Sequence, residues 1–215
     1  MKVELQNVLP GDIEKRSMQI IEEECASKGI ELDPVTAPIV KRVIHTTADF
    51  DYAENLVFSN DAYDAGLEAL KGGARIFTDT KMAFSGINKG ALEKLGCEAA
   101  CFISDPEVAA SARENGTTRA VASMDKAAGY GDGSIFAIGN APTALIHLYE
   151  MVCDGKLRPS LIIGVPVGFV NVVESKELIL QTDVPAIVAR GRKGGSNVAA
   201  SIVNALSYIA TGRKL

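Results

Sequence analysis

The 215-residue chain has no tryptophan, two histidines and four cysteines, and these scarcities limit its chemistry. The four cysteines are Cys25, Cys97, Cys101 and Cys153, and they form no CxxC pair. That spacing predicts reduced thiols packed as small apolar side chains, as expected away from redox sites. Because no cluster of histidine, cysteine and carboxylate side chains has metal-ligand spacing, we expect no protein-bound metal.

The chain also lacks an excess of basic residues. Its 22 lysines and arginines stand against 27 aspartates and glutamates, giving a net charge of −5. A nucleic-acid surface needs a basic stripe, so nucleic acid is not an expected partner. A small anionic ligand stays compatible with this charge, because a few well-placed lysine and arginine side chains suffice to bind it.

Long apolar runs are absent as well. The longest stretch, at 161–173, is interrupted by glycine and proline and is too short to span a bilayer. The first residues, MKVELQNVLPGD, show no basic-then-apolar signal pattern. These features predict a cytoplasmic protein with no membrane contact.

The length and the 47% hydrophobic content are typical of one α/β domain spanning 1–215. From residue 55 onward, short apolar runs alternate with amphipathic stretches, which predicts a mostly parallel sheet with helices on both faces. The expected strands are 56–59, 74–78, 99–104, 134–139, 160–165 and 186–190.

Residues 1–50 predict a helical extension packed on that domain. A first helix from Asp12 to Gly29 would bury one face, and a second would begin at Asp33-Pro34, with proline in its first turn. The expected inner faces are Ile13, Ser17, Ile20, Ile21 and Cys25 on the first helix, and Val35, Ile39 and Val43 on the second.

Polar or turn residues directly follow several of the predicted strands. In a parallel sheet they would gather at the carboxyl edge, where open α/β folds bind ligands. Such residues are also common helix caps, and for Asp105, which precedes Pro106, we favour the cap. For Asn140 in GNAPTAL, a buried cap and a ligand contact both stay open.

Two glycine-containing loops are candidates for ligand contact. RGRKGGSNVA (190–199) follows a strand and opens a helix, so its backbone N–H groups and basic side chains favour an anion. It has neither the GK[ST] ending of a P-loop nor the GxGxxG fingerprint. GYGDGS (129–134) precedes its strand and is interpreted as a flexible connection, with a lid as an alternative.

His45 lies in RVIHTTADFD, where a helical pattern breaks into a loop. An imidazole titrates near neutral pH, so it is the side chain best suited to proton transfer in the cell. If the helix continues, Asp49 lies one turn away and would orient the ring, with Thr46 or Asp51 as alternatives. The other histidine, His147, lies within an amphipathic helix and is interpreted as structural.

Five segments together resemble the precorrin-8X / cobalt-precorrin-8 methylmutase family of cobalamin biosynthesis. They are RVIHTTADFD (42–51), DTKMAFSGI (79–87), IGNAPTAL (138–145), IGVPVGFVNVVESK (163–176) and ARGRKGGSNVAA (189–200). The resemblance covers nearly the whole chain, and the motifs keep their order and spacing. The succession GNAPTAL, PVGFV and GRKGGS is more specific than any single loop.

The resemblance implies an isomerase that moves a methyl group from C-11 to C-12 of a contracted tetrapyrrole. It also implies a homodimer, a deep tetrapyrrole cleft, no dissociable cofactor and His45 as the proton donor or acceptor. Substrate contacts are then expected from Arg16, Ser17, Arg42, Thr46, Asp49, Asp79, Lys81, Met82, Asn140, Val167, Gly168, Phe169, Lys176, Arg190, Arg192, Lys193, Gly194 and Ser196.

Two other functions compete with this expectation. A non-catalytic tetrapyrrole carrier would need the same cleft and cations but no specific histidine. An α/β enzyme with a nucleotide-derived cofactor, such as a methyltransferase, would need a glycine fingerprint that the chain lacks.

Overall fold

The computed structural model describes residues 8–213. The strands are β1 (Leu56–Ser59), β2 (Arg75–Thr78), β3 (Glu98–Ala100), β4 (Ile135–Ile138), β5 (Leu161–Gly164) and β6 (Ala186–Ala189). The helices are α1 (Ile13–Ser27), α2 (Ala37–Thr47), α3 (Tyr52–Asn55), α4 (Ala62–Lys71), α5 (Lys81–Gly86), α6 (Lys89–Lys94), α7 (Pro106–Glu114), α8 (Arg119–Ala128), α9 (Pro142–Cys153), α10 (Val172–Ile179) and α11 (Ser196–Ala210).

The six strands form one sheet in the order β1-β6-β5-β4-β2-β3. All neighbouring strands are parallel except β1, which pairs antiparallel with β6. The residues of β4, β5 and β6 are buried throughout, because helices cover both faces of a parallel sheet. This confirms the predicted fold class. Strand β3 is shorter than expected, since the segment from residue 101 leaves the sheet.

Two hydrophobic clusters lie on opposite faces of the sheet. The first joins the sheet to α1, α2, α4, α5, α6 and α11, and the second joins it to α8, α9 and α10. The chain leaves β2 toward the first face, through α5, and leaves β4 toward the second, through α9. Adjacent strands β2 and β4 therefore form a topological switch point, where open α/β sheets have a crevice.

The expected helical extension is present, with two corrections to its inner faces. Met18, Ile21 and Cys25 of α1 are buried in the first cluster, together with Ile39 and Val43 of α2. Two residues of the predicted inner faces are exposed instead, Ile13 at 55% and Val35 at 53%. Ile13 is the first residue of α1 and Val35 lies in the turn before α2, so neither lies on the part of its helix that packs against the cluster.

The second helix begins at Ala37, three residues later than Pro34. The carboxylate of Asp33 accepts hydrogen bonds from the N–H groups of Val35 and Thr36, at 2.8 and 3.1 Å. This side-chain turn competes with a helical start and delays it. Pro38 then occupies the first turn of α2.

On the second face, acidic side chains link α8 to its neighbours. Asp105 stands at the N-cap position of α7, but its carboxylate accepts from Lys126 at 2.9 Å and makes no capping bond. The imidazole of His147 lies 2.6 Å from Asp125 and 3.4 Å from Glu150. His147 thus ties α9 to α8, in agreement with a structural role.

The GYGDGS segment lies at the amino edge of the sheet. Gly133 donates its N–H to the carbonyl of Arg158, and Asp132 accepts from the N–H of Arg158, just before β5. This position is opposite the carboxyl edge, so the lid alternative is wrong. Among residues 8–213, no helix is both long and apolar enough to cross a membrane.

Candidate functional site

The carboxyl ends of β2, β4, β5 and β6 lie along one edge of the sheet. Because β1 is antiparallel, its amino end lies at that edge too, and the N–H of Arg190 donates to the carbonyl of Asn55 at 2.8 Å. The segment from α2 to α3, which carries His45, therefore approaches the same edge. One antiparallel strand brings the N-terminal motif to the loops of the C-terminal half.

His45 is exposed in the last turn of α2, and Ser17 of α1 is its hydrogen-bond partner. The Oγ of Ser17 lies 2.7 Å from Nδ1 of the imidazole. The other ring nitrogen, Nε2, makes no hydrogen bond to any residue between 8 and 213. The ring is thus held at one nitrogen and open at the other, the arrangement required for proton exchange with a ligand.

Asp49 does not orient His45. Helix α2 ends at Thr47, and Ala48 takes a left-handed conformation with φ of +55°, which carries Asp49 off the helix. The carboxylates of Asp49 and Asp51 instead each lie 2.6 Å from Nζ of Lys193, and that hydrogen bond lowers the pKa of Asp49. Thr46 is also occupied, since its hydroxyl donates to the carbonyl of Arg42.

Arg42 is buried and pairs with Glu14 of α1, at 2.5 Å. Arg213 reaches the other oxygen of Glu14 at 3.0 Å, and the hydrogen bond from Arg42 lowers the pKa of this carboxyl. The guanidinium of Arg42 therefore joins α1 to α2, and its predicted substrate contact stays a prediction. Arg16, on the same helix as Ser17, pairs with Glu23 at 3.3 Å.

Asp79 follows β2 and is 1% exposed. Its carboxylate accepts from the backbone N–H groups of Gly139, Asn140 and Ala141, at 2.7 to 2.9 Å. Burial raises the pKa of Asp79, and these three donors oppose the rise by stabilising the charged form. The side chain therefore fixes the loop that opens α9, and its predicted substrate contact stays a prediction.

Lys176 is fully buried in α10 and holds the loop between β6 and α11. Its Nζ donates to the carbonyls of Gly191 and Lys193, both at 2.8 Å. Burial lowers the pKa of this ammonium group to about 8. Lys176 therefore supports the predicted anion cradle from behind, through two backbone carbonyls, and its predicted substrate contact stays a prediction.

Gly194 and Ser196 are packing residues of the same loop. A Cβ on Gly194 would lie 2.1 Å from the carbonyl oxygen of Val165, so only glycine fits against the end of β5. The hydroxyl of Ser196 is buried and lies 2.8 Å from that of Thr80, which joins this loop to the one after β2. The substrate contacts predicted for Gly194 and Ser196 stay predictions.

The remaining predicted residues form an exposed rim of cations and apolar side chains. Phe169 is 80% exposed, Met82 is 72% exposed, and the guanidinium of Arg192 lies 5.3 Å from the Phe169 ring. Arg190 pairs with Glu177 at 3.2 Å. The other members of this rim are Lys81, Asn140, Val167, Gly168 and Lys193.

A cavity of about 460 Å³ opens at the switch point between β2 and β4. Its lining includes Arg119 and Thr118 at the start of α8, which the sequence analysis did not single out. The sequence signal that could have found them is a threonine, a common helix cap, directly before a helical pattern. A second cavity, of about 560 Å³, lies between α1 and Arg213. His45 lines neither cavity and stands on the open rim.

No group of three or more metal-ligating side chains occurs within the described range, 8–213. The rim itself combines one acid–base side chain, that of His45, with several cations and large apolar side chains. Such a surface suits a large, flat, anionic ligand that undergoes proton transfer.

Comparison with known proteins identifies the family. The precorrin-8X methylmutase family model matches residues 12–209. The cobalt-precorrin-8 methylmutase of Salmonella typhimurium is 50% identical, over 81% of this chain and 82% of its own. That of Priestia megaterium is 44% identical, over 94% and 89% respectively. The crystal structure of a precorrin-8x methyl mutase from Thermus thermophilus has a TM-score of 0.86 and 40% identity, covering 94% of this chain and 98% of that one.

The family match spans all five motifs, from the histidine segment to the glycine-rich loop before α11. Methylmutases are intramolecular transferases, which rearrange one molecule without a second substrate. The chain therefore belongs to the precorrin-8X methylmutase family of isomerases.

Proposed function

We propose that this enzyme moves a methyl group from C-11 to C-12 of precorrin-8 or its cobalt form, giving hydrogenobyrinate or its cobalt counterpart. Relatives named for both the metal-free and the cobalt substrate support this class of ligand. The observation that carries the proposal is His45, held by Ser17 at Nδ1 and open at Nε2 on the ligand-binding edge.

The chemistry needs little from the protein beyond a proton and a fixed geometry. A 1,5-sigmatropic methyl shift breaks one C–C bond and forms another within the same conjugated system. A proton placed on that system redistributes charge and lowers the barrier, and one positioned acid–base group typically contributes about 10²–10⁴-fold. Holding the macrocycle in one orientation contributes the rest.

His45 exchanges that proton through Nε2, and Ser17 supports it in both protonation states. When the imidazole is charged, Nδ1–H donates to the serine oxygen. When it is neutral with the proton on Nε2, the serine hydroxyl donates to Nδ1 instead, because a hydroxyl is both donor and acceptor. The ring thus keeps its orientation while its charge changes.

The rim binds the substrate by charge and by apolar contact. Lys81 and Arg192 meet carboxylates of the substrate's side arms, and Phe169 and Met82 lie against the macrocycle. Aromatic and thioether side chains are suited to flat conjugated surfaces. Their high exposure supports this role, since apolar side chains of this size are usually covered.

The enzyme acts as a homodimer in this proposal. Phe169 and Val170, in the loop after β5, are highly exposed apolar side chains. A second subunit would cover the part of this apolar surface that the substrate does not contact. Sedimentation or light scattering of the purified protein tests this part: a mass of one chain at micromolar concentration contradicts it.

The reaction itself is tested with precorrin-8 in its metal-free and cobalt-loaded forms, assayed side by side. An isomerase changes the visible absorbance spectrum while the product keeps the mass of the substrate. Conversion of one form identifies the natural substrate. If neither form is converted, the proposed function is wrong.

A further inference from the structure

Lys193, in the loop after β6, is held at both ends. Its Nζ lies 2.6 Å from a carboxylate oxygen of Asp49 and 2.6 Å from one of Asp51. Its backbone carbonyl accepts a hydrogen bond from the buried ammonium of Lys176, at 2.8 Å. Lys193 therefore joins α10, through its main chain, to the segment after α2, through its side chain. That segment follows directly from the helical turn that carries His45.

The turn that presents the two carboxylates is itself held by hydrogen bonds. The carboxylate of Asp49 accepts from the N–H of Asp51 at 3.0 Å, and the N–H of Asp49 donates to the hydroxyl of Thr47 at 3.3 Å. That hydroxyl donates in turn to the carbonyl of Val43 at 2.8 Å. Exposed ion pairs usually contribute little, partly because two long side chains lose conformational freedom. Here one partner is a short side chain already fixed in a turn, so that cost is smaller.

The charge of Lys193 is more than balanced inside the protein. The hydrogen bonds that it donates to Asp49 and Asp51 raise its pKa, so the ammonium stays charged at neutral pH. A carboxylate of a substrate that approached it would also meet the two negative charges beside it, and like charges at short range repel. Lys193 is therefore better suited to hold a segment of its own chain than to bind an anionic ligand.

The bridge lies beside a strained point of the backbone. Ala48, between α2 and Asp49, has a φ of +55°, a left-handed conformation that is uncommon for residues other than glycine. Such conformations persist where the surrounding structure holds them. Helix α2 ends at Thr47, and the last turn of a helix frays readily. A cross-link at Asp49 and Asp51 therefore restricts the movement of the turn that carries His45.

We propose that Lys193 is a positioning residue for the proton transfer, which fixes the end of α2 and the imidazole of His45 by binding Asp49 and Asp51. The inference rests on the proposed function, because it takes His45 as the group that exchanges the proton. The two carboxylates do not contact the imidazole; they fix the backbone that carries it. Loss of the bridge therefore lowers the rate of conversion more than it weakens substrate binding.

The test is a mutant cycle, with turnover of precorrin-8 and binding of hydrogenobyrinate measured in each variant. Lys193→Met removes the ammonium, Asp49→Asn with Asp51→Asn removes the carboxylates, and the triple variant removes both. Groups that act through one another give losses that do not add. We expect kcat to fall about 10-fold in each of the first two variants and no further in the triple variant, because small displacements of a catalytic group slow a reaction. The Kd should change by less than about threefold.

Charge and salt give two further readouts. Lys193→Arg keeps the positive charge and should recover most of the rate. At saturating substrate, raising the ionic strength from about 0.05 M to about 0.5 M should lower kcat of the wild type toward that of the triple variant, because salt screens exposed ion pairs. The triple variant has no bridge to screen, so its kcat should not change. The wild-type salt series applies even if a variant does not fold, which thermal unfolding of each variant checks.

The matched control is Lys156→Met, which removes an exposed ion pair with Asp154, of 2.8 Å, beyond α9 and should leave kcat and Kd unchanged. A wild-type protein that neither binds nor converts the tetrapyrrole refutes the proposed function. If the wild type does both, three results overturn the positioning role alone. They are a raised Kd with normal kcat in Lys193→Met, which would make Lys193 a substrate contact, losses that add in the triple variant, and a wild-type kcat that does not respond to salt.

Discussion

At the scale of single residues, the site depends on one contact between two helices. The sequence points to His45 because imidazole is rare in this chain and titrates near neutrality. It does not reveal Ser17 as the partner, since the two residues are 28 positions apart and meet only through the packing of α1 on α2. The local candidate, Asp49, fails because Ala48 ends the helix.

Because Ser17 lies against Nδ1 of His45, we expect its hydroxyl to affect turnover more than binding. Ser17→Ala removes the only hydrogen bond that His45 makes within residues 8–213, so the ring samples other orientations and kcat should fall about 10-fold, within the range of one acid–base group. Ser17→Thr keeps the hydroxyl and should recover most of the rate. Steady-state assays measure both, with the Kd for hydrogenobyrinate as the control. An unchanged kcat in Ser17→Ala would show that the Ser17 hydroxyl has no role in turnover.

Buried Lys176 has a structural role that its residue type does not reveal. A lysine beside a glycine-rich loop predicts ligand binding, but this ammonium donates to two backbone carbonyls inside the protein. Arg42 and Asp79 are also buried. Arg42 pairs with Glu14, and Asp79 accepts hydrogen bonds from three backbone N–H groups. Sequence spacing places such residues near the carboxyl edge of the sheet. It does not tell whether their side chains point into the protein or toward a ligand.

The pKa of Lys176 gives a pH-dependent signature. It is about 8 in the folded protein and 10.5 ordinarily, so between these values the unfolded chain holds more protons and stability rises with pH. We expect the unfolding free energy of the wild type to gain about 1–3 kcal/mol over Lys176→Met between pH 8 and pH 10.5. Urea unfolding at several pH values measures this. Lys94→Met, at the exposed end of α6, is the control. A constant difference between wild type and Lys176→Met would contradict the assignment.

At the scale of elements, the loop from 190 to 195 is held on three sides. Lys176 binds it from below, Lys193 reaches Asp49 and Asp51 beside α2, and Gly195 donates its N–H to the carbonyl of Val165. The sequence predicts this loop and its glycines, because a basic, glycine-rich segment between a strand and a helix is typical of an anion site. It does not predict that Gly194 serves packing against β5.

Gly194→Ala tests that packing. The new Cβ would lie 2.1 Å from the carbonyl oxygen of Val165, so the loop must move and stability should fall by about 2–4 kcal/mol. Gly90→Ala, in helix α6, meets only the side chain of Asn88 at 3.5 Å and should be neutral or stabilising by up to about 1 kcal/mol. Chemical denaturation compares the two. Equal effects would show that the loop is not packed against β5 as described.

At the scale of the whole molecule, the sheet order places the site. The strands themselves are predictable, because β4, β5 and β6 are continuous apolar runs and those runs are typical of a parallel sheet covered on both faces. Their order is not predictable, since no local pattern says that β1 pairs antiparallel with β6. That one pairing brings the segment that carries His45 to the edge where the loops after β5 and β6 begin.

The central claim is that His45 transfers a proton to a tetrapyrrole bound along this edge. The most direct measurement is single-turnover conversion of precorrin-8 by wild type and His45→Ala, with binding followed in the same absorbance trace. The account predicts that His45→Ala binds the substrate with nearly normal affinity and converts it about 100-fold more slowly. Conversion by His45→Ala at the wild-type rate would contradict proton transfer by His45.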